Sequence, residues 1–81
     1  MKRKDFVLIV EGILKENKKR KLHITIYSNN FYKFYNGFIV SYDDKDSFSF
    51  IDDKIGYTVF LYSQIVNVEP FVEKWKIIMK K

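Results

Sequence analysis

Five short segments rich in β-branched and aromatic residues follow one another between Lys21 and Pro70, and each of them ends at a turn signal. The turn signals are Asn29-Asn30 and the segments at residues 43–46, 54–56 and 62–64. Short strands separated by turns at such close intervals are typical of one small antiparallel sheet. The spacing therefore predicts a mainly β fold in which five strands form a strongly bent sheet that closes towards a barrel over residues 21–70.

Alternation within each segment predicts which side chains face the core. Leu22, Ile24 and Ile26 alternate with less apolar residues, which indicates a half-buried first strand. A glycine inside a strand commonly marks a bulge or a bend, and we expect one at Gly37. Ser49, between two phenylalanines, is expected to face solvent. The later strands are expected at residues 34–42, 47–50, 57–61 and 65–68. The expected core is Leu22, Ile24, Ile26, Ile39, Phe48, Phe50, Val59, Leu61, Ile65 and Val68.

Helical periodicity flanks the β-rich region on both sides. Apolar residues at helical spacing predict an N-terminal α-helix over residues 4–18, with Asp5 as its N-cap. A strand over residues 6–10 is the alternative. Residues 71–81 place three apolar side chains on one helical face, which predicts a short C-terminal helical extension. No repeat or linker divides the sequence, so we expect a single domain over residues 1–81.

Composition limits how such a fold is stabilised and what it can do. The chain has 81 residues, no cysteine and one histidine, His23, so disulfides are excluded and a metal site is not expected. A core of this size is only marginally stabilising, which leaves oligomerisation as the open route. No catalytic motif is present, so we expect neither an enzyme nor a cofactor. No apolar segment approaches the roughly 20 residues of a membrane span, and we expect a soluble cytoplasmic protein without a membrane partner.

Charge is unevenly distributed along the chain. The formal net charge is +5, and Lys18, Lys19 and Arg20 lie in a basic segment over residues 15–21. Basic excess favours polyanionic partners, because binding releases their counterions. An ordinary solvated surface is the alternative interpretation of this segment. Residues 43–53 are rich in aspartate, so an acidic edge of one copy can meet a basic edge of another.

Four aromatic residues surround Lys33 near the first turn: Phe31, Tyr32, Phe34 and Tyr35. That number exceeds what one small core can absorb. Exposed aromatic rings beside positive charge form stacking platforms for single-stranded nucleic acid, worth roughly 1–3 kcal/mol per base. The alternative is that two or three of these rings pack on the sheet or on a neighbouring subunit.

Several short motifs resemble the Sm-like (LSm) family in their order and spacing. Similar to the first family signature are Leu22-x-Ile24-x-Ile26, Tyr35-Asn36-Gly37-Phe38-Ile39, Tyr42-Asp43 and Phe48-Ser49-Phe50. Similar to the second are Thr58-Val59-Phe60-Leu61 and Ile65-Val66-Asn67-Val68. The resemblance covers about residues 4–69. It implies a five-stranded SH3-like barrel, a ring-shaped homo-oligomer with six or seven copies favoured, and binding of single-stranded RNA.

The sequence departs from the family at positions that contact RNA. Ser47 stands where the family has an asparagine that holds a uracil edge, and Tyr62-Ser63 stands where it has Arg-Gly. The turn at residues 28–33 also looks longer than usual. The resemblance therefore implies weak sequence selectivity. The expected RNA-binding residues are Phe31, Tyr32, Tyr35, Asp43, Ser47, Tyr62, Ser63, Gln64, Lys18, Lys19 and Arg20.

Two other functions stay open at the level of the sequence. The same fold can serve as a homo-oligomeric scaffold or protein-interaction module that binds no RNA. The third alternative is an unrelated SH3-like barrel that binds double-stranded DNA through its basic face. The three differ in what copurifies with the protein and in the number of copies per particle.

Overall fold

The structure, a computed structural model, describes residues 1–42 and 44–72. It is mainly β with one N-terminal helix, as the sequence predicts. The elements are, in chain order, α1 (Arg3–Glu16), β1 (Leu22–Ser28), β2 (Phe31–Ser41), β3 (Ser47–Asp52), β4 (Gly56–Leu61), a 3₁₀ turn (Tyr62–Gln64) and β5 (Ile65–Pro70). The C-terminal helix predicted over residues 71–81 falls almost entirely outside the described residues.

Helix α1 confirms the helical interpretation of the N-terminal segment over the alternative strand. It begins at Arg3 with Lys2 as N-cap, so the predicted N-cap, Asp5, lies in the first turn instead. A carboxylate there is stabilised by the partial positive charge of the helix N-terminus. The helix ends at Glu16, two residues before the predicted boundary, because Asn17 has extended backbone angles.

The five strands form one antiparallel sheet in the order β4-β3-β2-β1-β5. Each ladder joins neighbours that run in opposite directions, which confirms the predicted five-stranded antiparallel sheet. Within the described residues no ladder joins β4 to β5, so the sheet is open and these two strands form its edges. Backbone donors and acceptors of an edge strand are available to a further strand.

The hairpin of β1 and β2 is longer and tighter than the sequence predicts. Asn29 and Asn30 have φ angles of 52° and 68°, which are the left-handed angles of a two-residue hairpin turn. Ser28 and Phe31 therefore pair directly across the turn. The expected long turn over residues 28–33 and the strand start at residue 34 were wrong, because two consecutive asparagines can turn the chain without further loop residues.

Gly37 lies in the part of β2 that is paired with β1 on one side and with β3 on the other. It pairs with Leu22 of β1 and with Asp52 of β3. A Cβ atom at this position would collide with the backbone carbonyl oxygen of Ile51. Close approach of two backbones thus explains the glycine, and the predicted irregularity of β2 follows shortly afterwards as a register shift between Ile39 and Ser41.

Aromatic rings fill the centre of the core. Phe48 is fully buried, and its ring centroid lies 4.4 Å from that of Phe6 and 5.2 Å from that of Tyr62. Helix α1 packs against β5 and buries Phe6 and Val10. The buried apolar set is Phe6, Val10, Leu22, Ile24, Ile26, Phe48, Phe50, Phe60, Tyr62, Ile65 and Val68.

For β4, the sequence assigned the wrong set of alternate residues to the core. Val59 and Leu61 are about half exposed, whereas Phe60 is buried. The cause is the register with β3, which places Phe60 directly opposite the central Phe48. Side chains alternate along a strand, so the neighbours of an inward residue must face outward. The prediction for Ile39 was only partly correct, since this residue is half-buried at the margin of the core.

Ser49 is fully buried, contrary to the expectation that it faces solvent. Its position in β3 lies on the outward side, but Tyr57 of β4 covers it. The two hydroxyl oxygens are 2.9 Å apart. A small side chain beneath a large neighbour loses its exposure without entering the core.

Asp52 organises the turn between β3 and β4. Its carboxylate accepts backbone N–H groups from Lys54 at 2.8 Å, Ile55 at 3.0 Å and Asn36 at 3.0 Å. Burial raises the pKa of this carboxyl, but the three N–H donors outweigh that effect and hold the pKa below its ordinary value of 3.8. The charged form is therefore the one that stabilises the turn.

Acidification is expected to weaken the fold through Asp52. A carboxyl whose pKa is lower in the folded protein stabilises it above the unfolded-state pKa, and the contribution is lost as the pH falls through the folded-state pKa. Urea unfolding followed from about pH 6 to about pH 2.5 should show this loss. In Asp52→Asn the acid-dependent part should shrink, whereas Asp53→Asn is the matched control. Equal acid sensitivity of wild type and Asp52→Asn would contradict the assignment.

Candidate nucleic-acid interface

The turn before β3 and the 3₁₀ turn after β4 lie side by side. The backbone N–H of Tyr62 donates to the carbonyl oxygen of Asp46 at 3.0 Å. Ser47 also pairs with Leu61 of β4, so Ser47 and the predicted site residues Ser63 and Gln64 lie in two adjoining segments of the chain. Asp43, another predicted site residue, lies outside the described residues.

The start of α1 completes this region. The Met1 ammonium group donates to the carbonyl oxygens of Tyr62 at 3.0 Å and Ile65 at 2.9 Å, which fixes the first residues of the chain against the 3₁₀ turn. The result is a cleft of about 540 Å³, called the terminal cleft below. It is lined by Met1, Lys2, Arg3, Lys45, Asp46, Leu61, Tyr62 and Ser63.

Cationic side chains dominate the electrostatics of the terminal cleft. Among the residues that the structure describes, Lys2, Arg3 and Lys45 line it together with one carboxylate, that of Asp46. Three exposed cations in a concave surface favour an anionic ligand such as a phosphodiester. From the sequence, only the basic segment over residues 15–21 was predicted to attract a polyanion. Lys2 and Arg3, which precede Phe6, were not included in that prediction.

The basic segment lies at the opposite end of α1. Lys18 and Lys19 are exposed beyond the last helical turn, and a 14-residue helix is about 20 Å long. The Arg20 guanidinium is occupied in part, because its Nη2 donates to the carbonyl oxygen of Phe71 at 3.0 Å. The predicted site residues Lys18, Lys19 and Arg20 are therefore not brought together with the terminal cleft.

Tyr62 has a role in the core that the sequence did not indicate. Its side chain is buried, and its ring lies 5.4 Å from that of Phe6 as well as against Phe48. A ring held between two others has no free face for a base. The contribution of this residue to the terminal cleft is thus limited to its backbone, and stacking must be supplied elsewhere.

Tyr42 lies between the helix and the 3₁₀ turn. Burial raises the pKa of its hydroxyl, and the charges of Glu11 and of Tyr62 act in the same direction, whereas Arg3 lowers it slightly. The hydroxyl therefore remains protonated well above neutral pH. Arg3 and Glu11 both lie on the exposed part of α1.

A second surface consists of aromatic rings on the solvent side of the β1–β2 hairpin. Tyr27 and Tyr32 pair across the two strands with ring centroids 4.9 Å apart. His23 and Phe34 are stacked at 5.7 Å with an interplanar angle of 14°. We call these four residues the aromatic strip. Nδ1 of His23 lies 2.6 Å from Oδ1 of Asn36, which fixes the imidazole beside the phenyl ring.

The aromatic strip differs from the predicted set of hairpin aromatics. Tyr32 belongs to it, but Tyr35 faces the core side and packs on Phe60 at 4.8 Å. Phe31 is 68% exposed at the tip, on the other side of the strand. His23 and Tyr27 were missed. The signal for both was the alternation of β1, which becomes informative once the two-residue turn fixes the register with β2.

Within residues 1–42 and 44–72, no three acidic or imidazole side chains come close enough together to hold a metal ion. In the same part of the chain, no helix has the length and apolar character to cross a membrane. Comparison of the sequence with protein-family models and with curated proteins, and of the structure with solved structures, finds no match.

Proposed function

We propose that this chain is an Sm-like protein that assembles into a ring and binds single-stranded RNA with weak sequence selectivity. The observation that carries the proposal is the strand order β4-β3-β2-β1-β5 behind an N-terminal helix, which leaves β4 and β5 as the two edges. That arrangement accords with the order of the residue motifs that resemble the family. A copy number of six or seven rests on the resemblance alone.

Assembly follows from the two edges. An edge strand with exposed apolar side chains favours pairing with another chain. Val59 and Leu61 on β4 and Val66 on β5 are each about half exposed. Pairing of β4 in one copy with β5 in the next is a head-to-tail contact, and such contacts close into rings when the rotation permits.

RNA binding divides between the two surfaces. The terminal cleft supplies Lys2, Arg3 and Lys45 for phosphates, and the aromatic strip supplies ring faces that accept any base. Ser47 can form a single hydrogen bond to a base edge, which discriminates less than a bidentate contact. Affinity should therefore be modest, dependent on salt and only weakly selective.

The mass of the native particle tests assembly. We expect a ring-sized mass for the wild type and a smaller one for Val59→Asp/Val66→Asp, because like charges on both edges oppose pairing. Leu8→Asp changes an equally apolar, exposed residue of α1 and serves as the control. Light scattering after size exclusion measures the mass. A monomer at every concentration of the wild type would reject the ring.

Anisotropy titrations with labelled oligo(U) and oligo(A) at several salt concentrations test RNA binding. Lys2→Glu/Arg3→Glu/Lys45→Glu should lower affinity for both sequences and reduce the salt slope by about 2, since single strands release about 0.7 counterion per neutralised phosphate. Phe34→Ala should weaken binding by roughly 1–3 kcal/mol with an unchanged slope.

The matched control reverses the same number of charges in the basic segment, as Lys18→Glu/Lys19→Glu/Arg20→Glu. If this variant lowers the affinity for RNA more than the cleft variant does, the phosphates contact the basic segment rather than the terminal cleft. A ring that binds no RNA even at low salt would instead favour the scaffold function. Preference for duplex DNA by a monomer would favour the third alternative.

A further inference from the structure

An apolar surface covers the solvent side of β2, β3 and β4. Phe38, Ile51 and Tyr57 form a row across the three strands and are 40%, 47% and 64% exposed. Val40 and Val59 continue the surface and are also about half exposed. We call these five residues the outer face. Contiguous apolar surface of this kind usually marks an interaction site in a protein that does not aggregate.

The chain leaves β5 beside one corner of the outer face. The backbone N–H of Phe71 donates to the carbonyl oxygen of Lys21 at 2.9 Å, and its carbonyl accepts the Arg20 guanidinium, so its position is fixed on both sides. The Lys21 ammonium lies 5.2 Å from the centroid of the Phe71 ring and 6.0 Å from that of Phe38. The next residues therefore start at the Phe38 corner.

The nine residues that follow Val72 have the composition and the length to cover this surface. Residues 73–81 include Trp75, Ile77, Ile78 and Met79, and four lysines accompany them. Nine residues reach at most about 30 Å when extended. Three adjacent strands are about 10 Å across, and a six-residue strand is about 20 Å long. The segment can thus extend from the Phe38 corner to the far end of β3.

Charge favours this direction. The exposed carboxylates of Asp44 and Asp46 lie in the turn that precedes β3, at the end remote from Phe38. Asp53 lies at the near end, where it pairs with Lys21 at 2.7 Å. A segment with lysines on either side of its apolar residues would meet a carboxylate at both ends of the outer face.

We propose that residues 73–81 dock on the outer face of their own chain, with Trp75 and the aliphatic residues after it against the row of Phe38, Ile51 and Tyr57. This docking uses the solvent side of β2, β3 and β4, whereas assembly uses the backbone edges of β4 and β5. It would protect apolar surface that the sheet leaves open to water.

Trp75 reports on this docking because it is the only tryptophan in the chain. In the full-length protein we expect Trp75 to be shielded from acrylamide quenching and blue-shifted in emission, at all protein concentrations. Ile51→Gln and Val40→Gln should each abolish the shielding, since a polar amide disrupts the apolar contact, and neither residue lies on the edge strands β4 and β5. Leu8→Gln, on an exposed position of α1, should leave it unchanged. Circular dichroism and urea unfolding establish that each variant remains folded.

Three results would overturn the proposal. One is quenching of Trp75 in the wild type as efficient as in urea, which would mean that the segment is solvated. Another is shielding that persists in both Ile51→Gln and Val40→Gln, which would place Trp75 on a different surface. The third is shielding that disappears on dilution, which would assign the outer face to a second copy of the chain.

Discussion

Replacement of Phe48 by alanine is expected to remove a large fraction of the protein's stability. Phe48 has no solvent exposure, and the rings of Phe6, Phe50, Phe60 and Tyr62 surround it. Removal of a buried phenyl ring costs about 3–5 kcal/mol, because the cavity adds to the lost transfer free energy. A domain of this length has a total stability of roughly 4–12 kcal/mol. Urea unfolding followed by far-ultraviolet circular dichroism measures the loss.

Phe31→Ala provides the matched control for that change. The same atoms are removed from a side chain that is 68% exposed at the tip of the hairpin. Surface substitutions of this kind change the free energy of unfolding by no more than about 0.5 kcal/mol. A loss of less than about 1 kcal/mol for Phe48→Ala would show that the aromatic cluster does not dominate stability.

Gly37→Ala is expected to have the second-largest effect, although it adds only a methyl group. The new Cβ would overlap the carbonyl oxygen of Ile51 and lie 3.0 Å from Cα of Asp52, and both of these are backbone atoms that cannot rotate away. Overpacking of this kind costs typically about 1–3 kcal/mol and occasionally more. Relief of the overlap requires separation of β2 from β3. Urea unfolding measures the cost, and loss of amide protection in β3 would locate the disruption.

Gly12→Ala is the control with the opposite expected sign. Gly12 lies within α1, and a Cβ added there would meet no atom within 4 Å apart from the backbone of its own helix and its chain neighbours. Alanine in a helix interior is favoured over glycine by about 0.5–1 kcal/mol. Destabilisation by Gly12→Ala, or none by Gly37→Ala, would contradict the packing described for the two positions.

The sequence predicted the number of strands and their antiparallel direction because the turns between them carry strong local signals. It could not predict the phase of β4, since both sets of alternate residues in that strand include large apolar side chains. Gly56, with a φ angle of 78°, and the hydrogen bonds to Asp52 fix the register that turns Phe60 inward. Which side of β4 faces the core therefore depends on the register between β3 and β4, which the alternation within β4 alone does not determine.

The candidate site was predicted in part for a similar reason. Ser47 and Ser63 were expected near one another through the family resemblance, and the contact between Tyr62 and Asp46 brings their two turns together. Two of the three cations of the terminal cleft, Lys2 and Arg3, come from the start of the sequence, which is held here by the hydrogen bond from the Met1 ammonium to the Ile65 carbonyl. No local pattern records a contact across that separation.

The alternation of the β1–β2 hairpin separates the buried residues that stabilise the fold from those on the solvent side of the two strands. Leu22, Ile24 and Ile26 are buried, while the residues between them share the opposite side with those of the aromatic strip. Because these two sets of positions do not overlap, substitutions in one need not disturb the other. Positions 23, 25, 27, 32 and 34 can therefore be varied, in evolution or in a combinatorial library, with little effect on the interior, so that the hairpin can serve as a scaffold on which binding surfaces are selected.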